Sequence, residues 1–358
     1  MDYGFAFLST VDIADEVALA EHEGFTHAWL YDTQMLCADV FQCLALCTQK
    51  TRNIKLGTNV TNPASRIAPV TANNFATLNL LAPGRVVMGI GTGNTARRTL
   101  GMPAASLSQL REHVEICRGL LAGETVPYQE GERRRMIRFL NQQGDWINLK
   151  DPVPIYIAAS GPKALELAGE IADGVILFGA VGDSLLDYTL SHVRLGAERV
   201  GRKLSDLYIM LSTACHVTQP GENLRNLQAA VGAYVTSQCN IFALSARDPT
   251  DLPADVRDDI MAFRNAYRTP DAPIETRHLD LYSGYVNDFK DEHAALVTSR
   301  MIQATTLTGT TAEIGARIAA LEAAGVNQIA IHGGSRERLG AVIREFAAAV
   351  IRRPRTVS

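Results

Sequence analysis

The sequence predicts an α/β protein built as a (β/α)8 TIM barrel with insertions. Three observations carry that expectation. Short apolar runs of strand length recur eight times, and each is followed by residues whose apolar positions fall at three- and four-residue steps. Eight right-handed β-α units close on themselves more readily than they spread into an open sheet. The first run also lacks a dinucleotide glycine fingerprint, whereas glycine-rich turns follow several later runs. An open doubly wound sheet is the alternative this leaves.

In chain order, Tyr3 to Leu8 reads as the first strand, and Val11 to Glu23 as a helix ending at Gly24. Phe25 to Tyr31 is the second strand, closed by Asp32 and Thr33, and Asp39 to Gln49 is a helix. Ile54 to Thr58 is the third strand. Pro69 to Leu81 is a helix with proline near its start. Val86 to Ile90 is a continuous apolar run, the mark of a buried parallel strand, and Leu107 to Leu121 is again helical. Gly123 to Asp151 is polar with little periodicity and reads as an excursion from the core. The alternation resumes with strands at Pro154 to Ala158, Gly174 to Phe178 and Leu207 to Val217. Helices at Pro162 to Ile171, Leu185 to Gly201 and Leu224 to Ala243 separate and follow them. Leu244 to Ser299, rich in Asp, Pro, Arg and Tyr with short helical pieces, is too long for a simple turn and reads as a mobile or lid-forming insertion. Thr311 to Ala324, Gln328 to His332 and Arg336 to Ile351 complete the pattern as helix, strand and helix. Residues 1–358 are expected to form one domain, with insertions near 123–151 and 244–299.

A formal net charge of −4 with no basic block argues against a nucleic-acid partner. The start, MDYGFAFLSTVD, lacks the basic and apolar regions of a signal peptide. No apolar stretch approaches the roughly 18 residues of a membrane span, so a cytoplasmic protein is expected. The six cysteines include no C-x-x-C pair and read as reduced core thiols.

In a barrel of this class the chemistry collects at the carboxyl ends of the strands. Those ends are Ser9, Asp32, the run after Gly57, Gly91 to Asn94, Ala158 to Gly161, Gly179, His216 and His332. The turn Gly91-Thr92-Gly93-Asn94 has small side chains and exposed donors, and passes close to a flat ring or serves only as a tight turn. Ala159-Ser160-Gly161-Pro162-Lys163 starts a helix whose free N–H groups suit a phosphate; an ordinary serine cap is the alternative. Asp32 orients a ring nitrogen, accepts a proton or caps the next helix. Gly57 to Asn62 is a backbone segment pressed on a planar ring or a plain polar loop. Arg66 reaches a ligand or faces solvent. His22 and His27 fall at the opposite barrel end and read as structural. His278, His293 and Glu275 match no compact ligand motif, so no metal is expected. His278, with Tyr282 and Tyr285, lines a substrate mouth or a solvated lid. Asp32, His278 and Tyr285 are thus the candidate catalytic side chains. Neither a G-x-S-x-G elbow nor an H-E-x-x-H helix is present.

Four stretches together resemble the bacterial luciferase-like monooxygenase superfamily of flavin- and F420-dependent oxidoreductases. They are GTNVTNPASR at 57–66, LAPGRVVMGIGTGNTARRTLG at 81–101, VPIYIAASGPKALELAGEIADGVIL at 153–177 and LTGTTAEIGARIAALEAAGVNQIAI at 307–331. The resemblance covers nearly the whole chain and leans toward members labelled methylenetetrahydromethanopterin reductase-like. It implies a flavin or deazaflavin across the strand ends. Gly57, Thr58, Asn59 and Val60 would form a bulge behind the ring, often with a non-proline cis peptide. Thr92, Gly93 and Asn94 would lie near the ring and ribityl chain. Ser160 and Gly161, beside Ala159, would take the phosphate, with Gly179 next to them. Many relatives carry an acidic residue where this chain has Asn94. Many also have Asp-His at Asp32-Thr33, and Arg-His-Pro at Arg66-Ile67-Ala68.

The leading expectation is an FMN-dependent monooxygenase that uses reduced flavin and O2 on a small organic substrate. A separate NAD(P)H:flavin reductase would supply the reduced cofactor, because the chain has no NAD fingerprint of its own. The alternative is F420-dependent hydride transfer to or from a small organic substrate. A barrel acting on another phosphorylated ligand and a non-catalytic flavin-binding protein are the further rivals. The resemblance also implies a homodimer.

Overall fold

The computed structural model describes residues 1–246, 248–266, 272–281, 288–333 and 336–352. Eight strands form the closed ring: β1 (Asp2–Phe7), β2 (His27–Leu30), β3 (Lys55–Thr58), β4 (Val86–Ile90), β5 (Ile155–Ala158), β6 (Gly174–Phe178), β7 (Tyr208–Val217) and β8 (Gln328–His332). Each pairs in parallel with the next, and β8 returns to pair with β1. The predicted TIM barrel is therefore the fold observed, and the open sheet is excluded.

Strand alternation divides the core in two. Ala6, Trp29, Val87, Tyr156, Ile176, Met210 and Ala330 point inward and fill the barrel. Their neighbours Phe5, Phe7, Ala28, Leu30, Leu56, Met88 and Ile90 point outward into the layer between the barrel and its helices. Trp29 is fully buried, and its Nε1 donates to Gln328 Oε1 at 3.0 Å. A Cβ at Gly57 would sit 2.5 Å from this indole, so Gly57 is glycine to make room for Trp29.

Helix starts carry their own signals. Asp39 accepts from the backbone of Phe41 and Gln42 and caps the Val40–Lys50 helix. Ser106 and Gln109 form a reciprocal box at the head of Leu107–Leu121. Pro162 opens the Pro162–Ile171 helix.

The two expected insertions resolve differently. Within Gly123 to Asp151, Val126–Glu130 and Arg133–Ile137 pair as an antiparallel hairpin. Its strands are exposed over most of their length, which removes the apolar alternation that would have revealed them. The Leu224–Ser245 helix runs into the second insertion. There Leu252, Val256, Ile260, Phe263 and Val297 are buried in the main core, so this part is docked rather than a free-standing lid. Leu307–Gly309 adds a short parallel strand against Cys215 to Val217. The end of β7 thereby leaves the ring, and its barrel pairings stop at Ala214.

All six cysteines are free, four of them buried. No described helix is long and apolar enough to cross a membrane.

Candidate active site

Two residues beyond the inner layer, the same alternation places Leu8, Tyr31, Ala158, Phe178 and His332 at the carboxyl ends of their strands. These residues floor a cavity of about 590 Å³. Asn59, Val60, the Gly91–Asn94 turn and Ala159, Ser160 and Gly161 form its walls, and Gln238, Ile241, Leu244 and Ser245 of the Leu224–Ser245 helix close the far side. Thr92, Gly93 and Asn94 are thus brought together with Asn59, Val60, Ala159, Ser160, Gly161 and Asp32.

Asn59 follows β3 and is 6 % exposed, yet neither its amide nitrogen nor its oxygen has a hydrogen-bond partner. The Asn59–Val60 peptide bond is cis. Across the cavity, Gln238 donates to Ser237 Oγ at 3.1 Å while its Oε1 stays unpartnered. Buried polar groups without partners are rare because desolvation is costly. Both side chains line the cavity, and together they would form a cradle for a flat ring with polar edges. Gly93 begins the Asn94–Arg98 turn at φ +77°, close against Asn62, and Asn94 accepts from Arg98 Nε.

The other end of the cavity suits a phosphate. Gly161 caps Pro162–Ile171 without a side-chain bond, and the first-turn N–H groups lie beside Ser160 and the exposed Lys163. Gly161 packs on the end of the closing helix, where a Cβ would lie 2.9 Å from the Ser245 carbonyl oxygen.

Four expected contacts are placed elsewhere. Gly57 lies inside the barrel under Trp29. Thr58 is fully buried and donates to the Gly89 carbonyl at 2.6 Å, below the cavity floor. Gly179, at φ +59°, supports Gln238 from behind instead of lining the cavity. His278 lies away from the cavity lining, close against Gly101. Tyr282 and Tyr285 fall outside the described residues.

Asp32 is at the cavity but already engaged. Its carboxylate accepts from Arg66 at 2.7 Å, Arg66 also binds Asp39 at 2.7 Å, and the guanidinium lies 4.7 Å over the Phe41 ring. Asp39, not Asp32, is the helix cap, and Arg66 neither faces solvent nor reaches into the cavity. Burial pushes the Asp32 carboxyl above its ordinary value while Arg66 pulls it down.

Four residues here, Tyr31, His332, Ser212 and Gln238, carry no assigned role in the sequence reading, although His332 is named there as a strand end. Tyr31 and His332 were legible as inward positions, since each lies two residues past an inner-layer side chain. On β7, the fully buried Ser212 lies 2.7 Å from His332 Nε2, whereas His216 pairs with Glu222 at 2.9 Å. Gln238 had no signal beyond the polar run Thr236-Ser237-Gln238 in an apolar helix.

A profile of the luciferase-like monooxygenase family matches residues 9–328. The chain belongs to that family. Among its relatives is the 5,10-methylenetetrahydromethanopterin reductase of Archaeoglobus fulgidus, 29% identical over 335 residues that cover 92% of each chain. The F420-dependent glucose-6-phosphate dehydrogenase of Beutenbergia cavernae is 30% identical over 302 residues, 80% of this chain and 83% of that one. The fold matches the coenzyme F420 dependent tetrahydromethanopterin reductase of Methanopyrus kandleri at TM-score 0.71 and 22% identity, covering 98% of both. For this luciferase-like chain, the cradle of Asn59 and Gln238 and the helix start at Ser160 fit a phosphorylated tricyclic ring.

Proposed function

We propose that this protein is an F420-dependent oxidoreductase that transfers hydride to or from a small organic substrate. The coarser statement, a flavin- or F420-dependent oxidoreductase, follows from family membership and the extended relatives. The observation that carries the finer one is that a relative aligned over most of the chain is named for F420-dependent dehydrogenation. A second, aligned over nearly all of it, is named as a reductase. The FMN monooxygenase reading yields to its alternative on this ground, although the family's name comes from oxygen-using members.

A deazaflavin in this cavity supplies a ring carbon that takes or gives a hydride. The chain's own residues do the rest. Asn59 and Gln238 hold the polar edges of the ring and Val60 supports its back. Ser160, the first-turn N–H groups of Pro162–Ile171 and Lys163 hold the phosphate. The apolar floor around Leu8 and Phe178 keeps water from the reacting face.

Parallel titrations of the full chain with F420 and FMN test the proposal. Selective binding of F420, and its reduction by an alcohol or sugar-phosphate donor followed by absorbance, are expected. Tight FMN binding with no affinity for F420 would overturn it.

A further inference from the structure

Tyr31 ends β2 and His332 ends β8, one on each side of β1, and both keep part of their surface on the cavity. We infer that Tyr31 and His332 are the proton-transfer pair of this site, acting on the oxygen of an alcohol or carbonyl substrate. The inference rests on the F420-dependent reading, which supplies the hydride acceptor.

The two side chains form a continuous hydrogen-bonded line. Tyr31 Oη bonds to His332 Nδ1, and His332 Nε2 lies 2.7 Å from Ser212 Oγ. The tautomer with the proton on Nε2 makes the phenol the donor to Nδ1 and Ser212 the acceptor. Both rings are held in place. They stack at 5.7 Å, and Tyr234 packs on His332 at 4.8 Å while its hydroxyl donates to the Ser212 carbonyl at 2.6 Å. Ser9 donates to the Tyr31 carbonyl at 2.6 Å and fixes the backbone there.

Of the other protic groups lining the cavity, Ser160 and Lys163 are assigned above to the phosphate, Asp251 accepts from the Asp248 N–H, and the rest are engaged or unsuited. Asp32 is tied to Arg66, and the Cys37 thiol donates to the Thr33 carbonyl at 3.2 Å. Glu166 and His192 pair with each other beyond the phosphate end. Thr33 and Asn94 hold no proton that leaves near neutral pH. Burial lowers His332 to about 3, so the resting pair is phenol and neutral imidazole.

In the oxidising direction the substrate C–H bond breaks and its electron pair leaves with the hydrogen as hydride to the deazaflavin. The carbon–oxygen double bond forms as the hydroxyl proton passes to Tyr31 Oη. The phenolic proton moves in the same step to His332 Nδ1, and because burial disfavours the imidazolium it gives a proton up to solvent as the product leaves. Two electrons and two hydrogens leave the substrate in all. Reduction reverses each transfer.

The experiment uses the full chain loaded with F420, labelled with 15N at histidine, with acetone and propan-2-ol as probes. In the native protein His332 is expected to show a hydrogen-bonded Nδ1 acceptor whose resonance moves as either probe is added. In Tyr31→Phe that response disappears while F420 affinity stays within about twofold. For any donor the native protein oxidises, Tyr31→Phe and His332→Gln are expected to lower kcat by about 100-fold or more, the usual scale of general acid–base catalysis. A His332 resonance indifferent to both probes, or a probe response kept in Tyr31→Phe, would overturn the inference. So would an F420 affinity lost in parallel with the response, which would make the pair part of the cofactor site. Failure of the native protein to bind F420 would instead sink the function proposed above.

Discussion

Trp29 and Arg66 show how single residues position this site without entering it. The indole fills the barrel directly beneath the cavity floor, and β3 tolerates it only because residue 57 has no side chain. Gly57→Ala would force a methyl group to within 2.5 Å of the ring. Overpacking of this kind costs about 1–3 kcal/mol. Urea unfolding followed by tryptophan fluorescence is expected to show a lower midpoint with an unchanged slope. Arg66 carries a different cost. Asp32 is 3 % exposed, and removing its partner leaves a buried charge unpaired. Arg66→Gln is expected to destabilise by about 3 kcal/mol, and Asp32→Asn added to it to recover part of that loss. Asp32 was legible in the sequence as a residue at a strand end. Its role was not, because the partner lies 34 positions away along the chain.

At the scale of elements, what sequence reveals depends on whether a segment has one wet face. The barrel strands are apolar runs bounded by glycine or polar turns, and all eight stand out. The Val126–Ile137 hairpin is exposed on most positions and leaves no such trace. The Leu224–Ser245 helix is visible as a helix, but nothing in its period says that it lies across the strand ends. That placement decides the role of Gly179. A Cβ there would sit 3.1 Å from Gln238 Cβ, at a φ of +59° that disfavours any side chain. Gly179→Ala is expected to displace Gln238 and weaken F420 binding by about tenfold, equivalent to ~1.4 kcal/mol. Gln238→Leu is expected to do the same without the backbone penalty. Fluorescence titration of F420 measures both, and an unchanged affinity in Gln238→Leu would remove that side chain from the cofactor cradle.

The whole molecule places histidines at depths that make its stability depend on acid in a particular window. His27 stacks on Trp29 at the base of the barrel, and His113 meets Thr71 Oγ1 at 3.2 Å between two helices. They are 2 % and 5 % exposed, and burial lowers them to about 3 and about 4 from an ordinary 6.5. Below pH 6.5 the unfolded chain takes up protons at both positions and the native state does not, so stability falls as pH falls. Each residue approaches a loss of about 1.4 kcal/mol per pH unit until its folded value is reached. Carboxylates held low by hydrogen bonds, such as Glu21 on the backbone of Arg52, Asn53 and Ile54, lose their contribution only below 4.5. Unfolding between pH 6.5 and 5 therefore reports the histidines. His113→Gln is expected to lower stability at pH 7.5 by about 1 kcal/mol through its bond to Thr71, yet to flatten the acid slope by roughly a quarter to a third, since burial also holds His293 and His332 low. Urea midpoints across that range measure the slope, and an unchanged slope in His113→Gln would mean that His113 is charged in the folded protein.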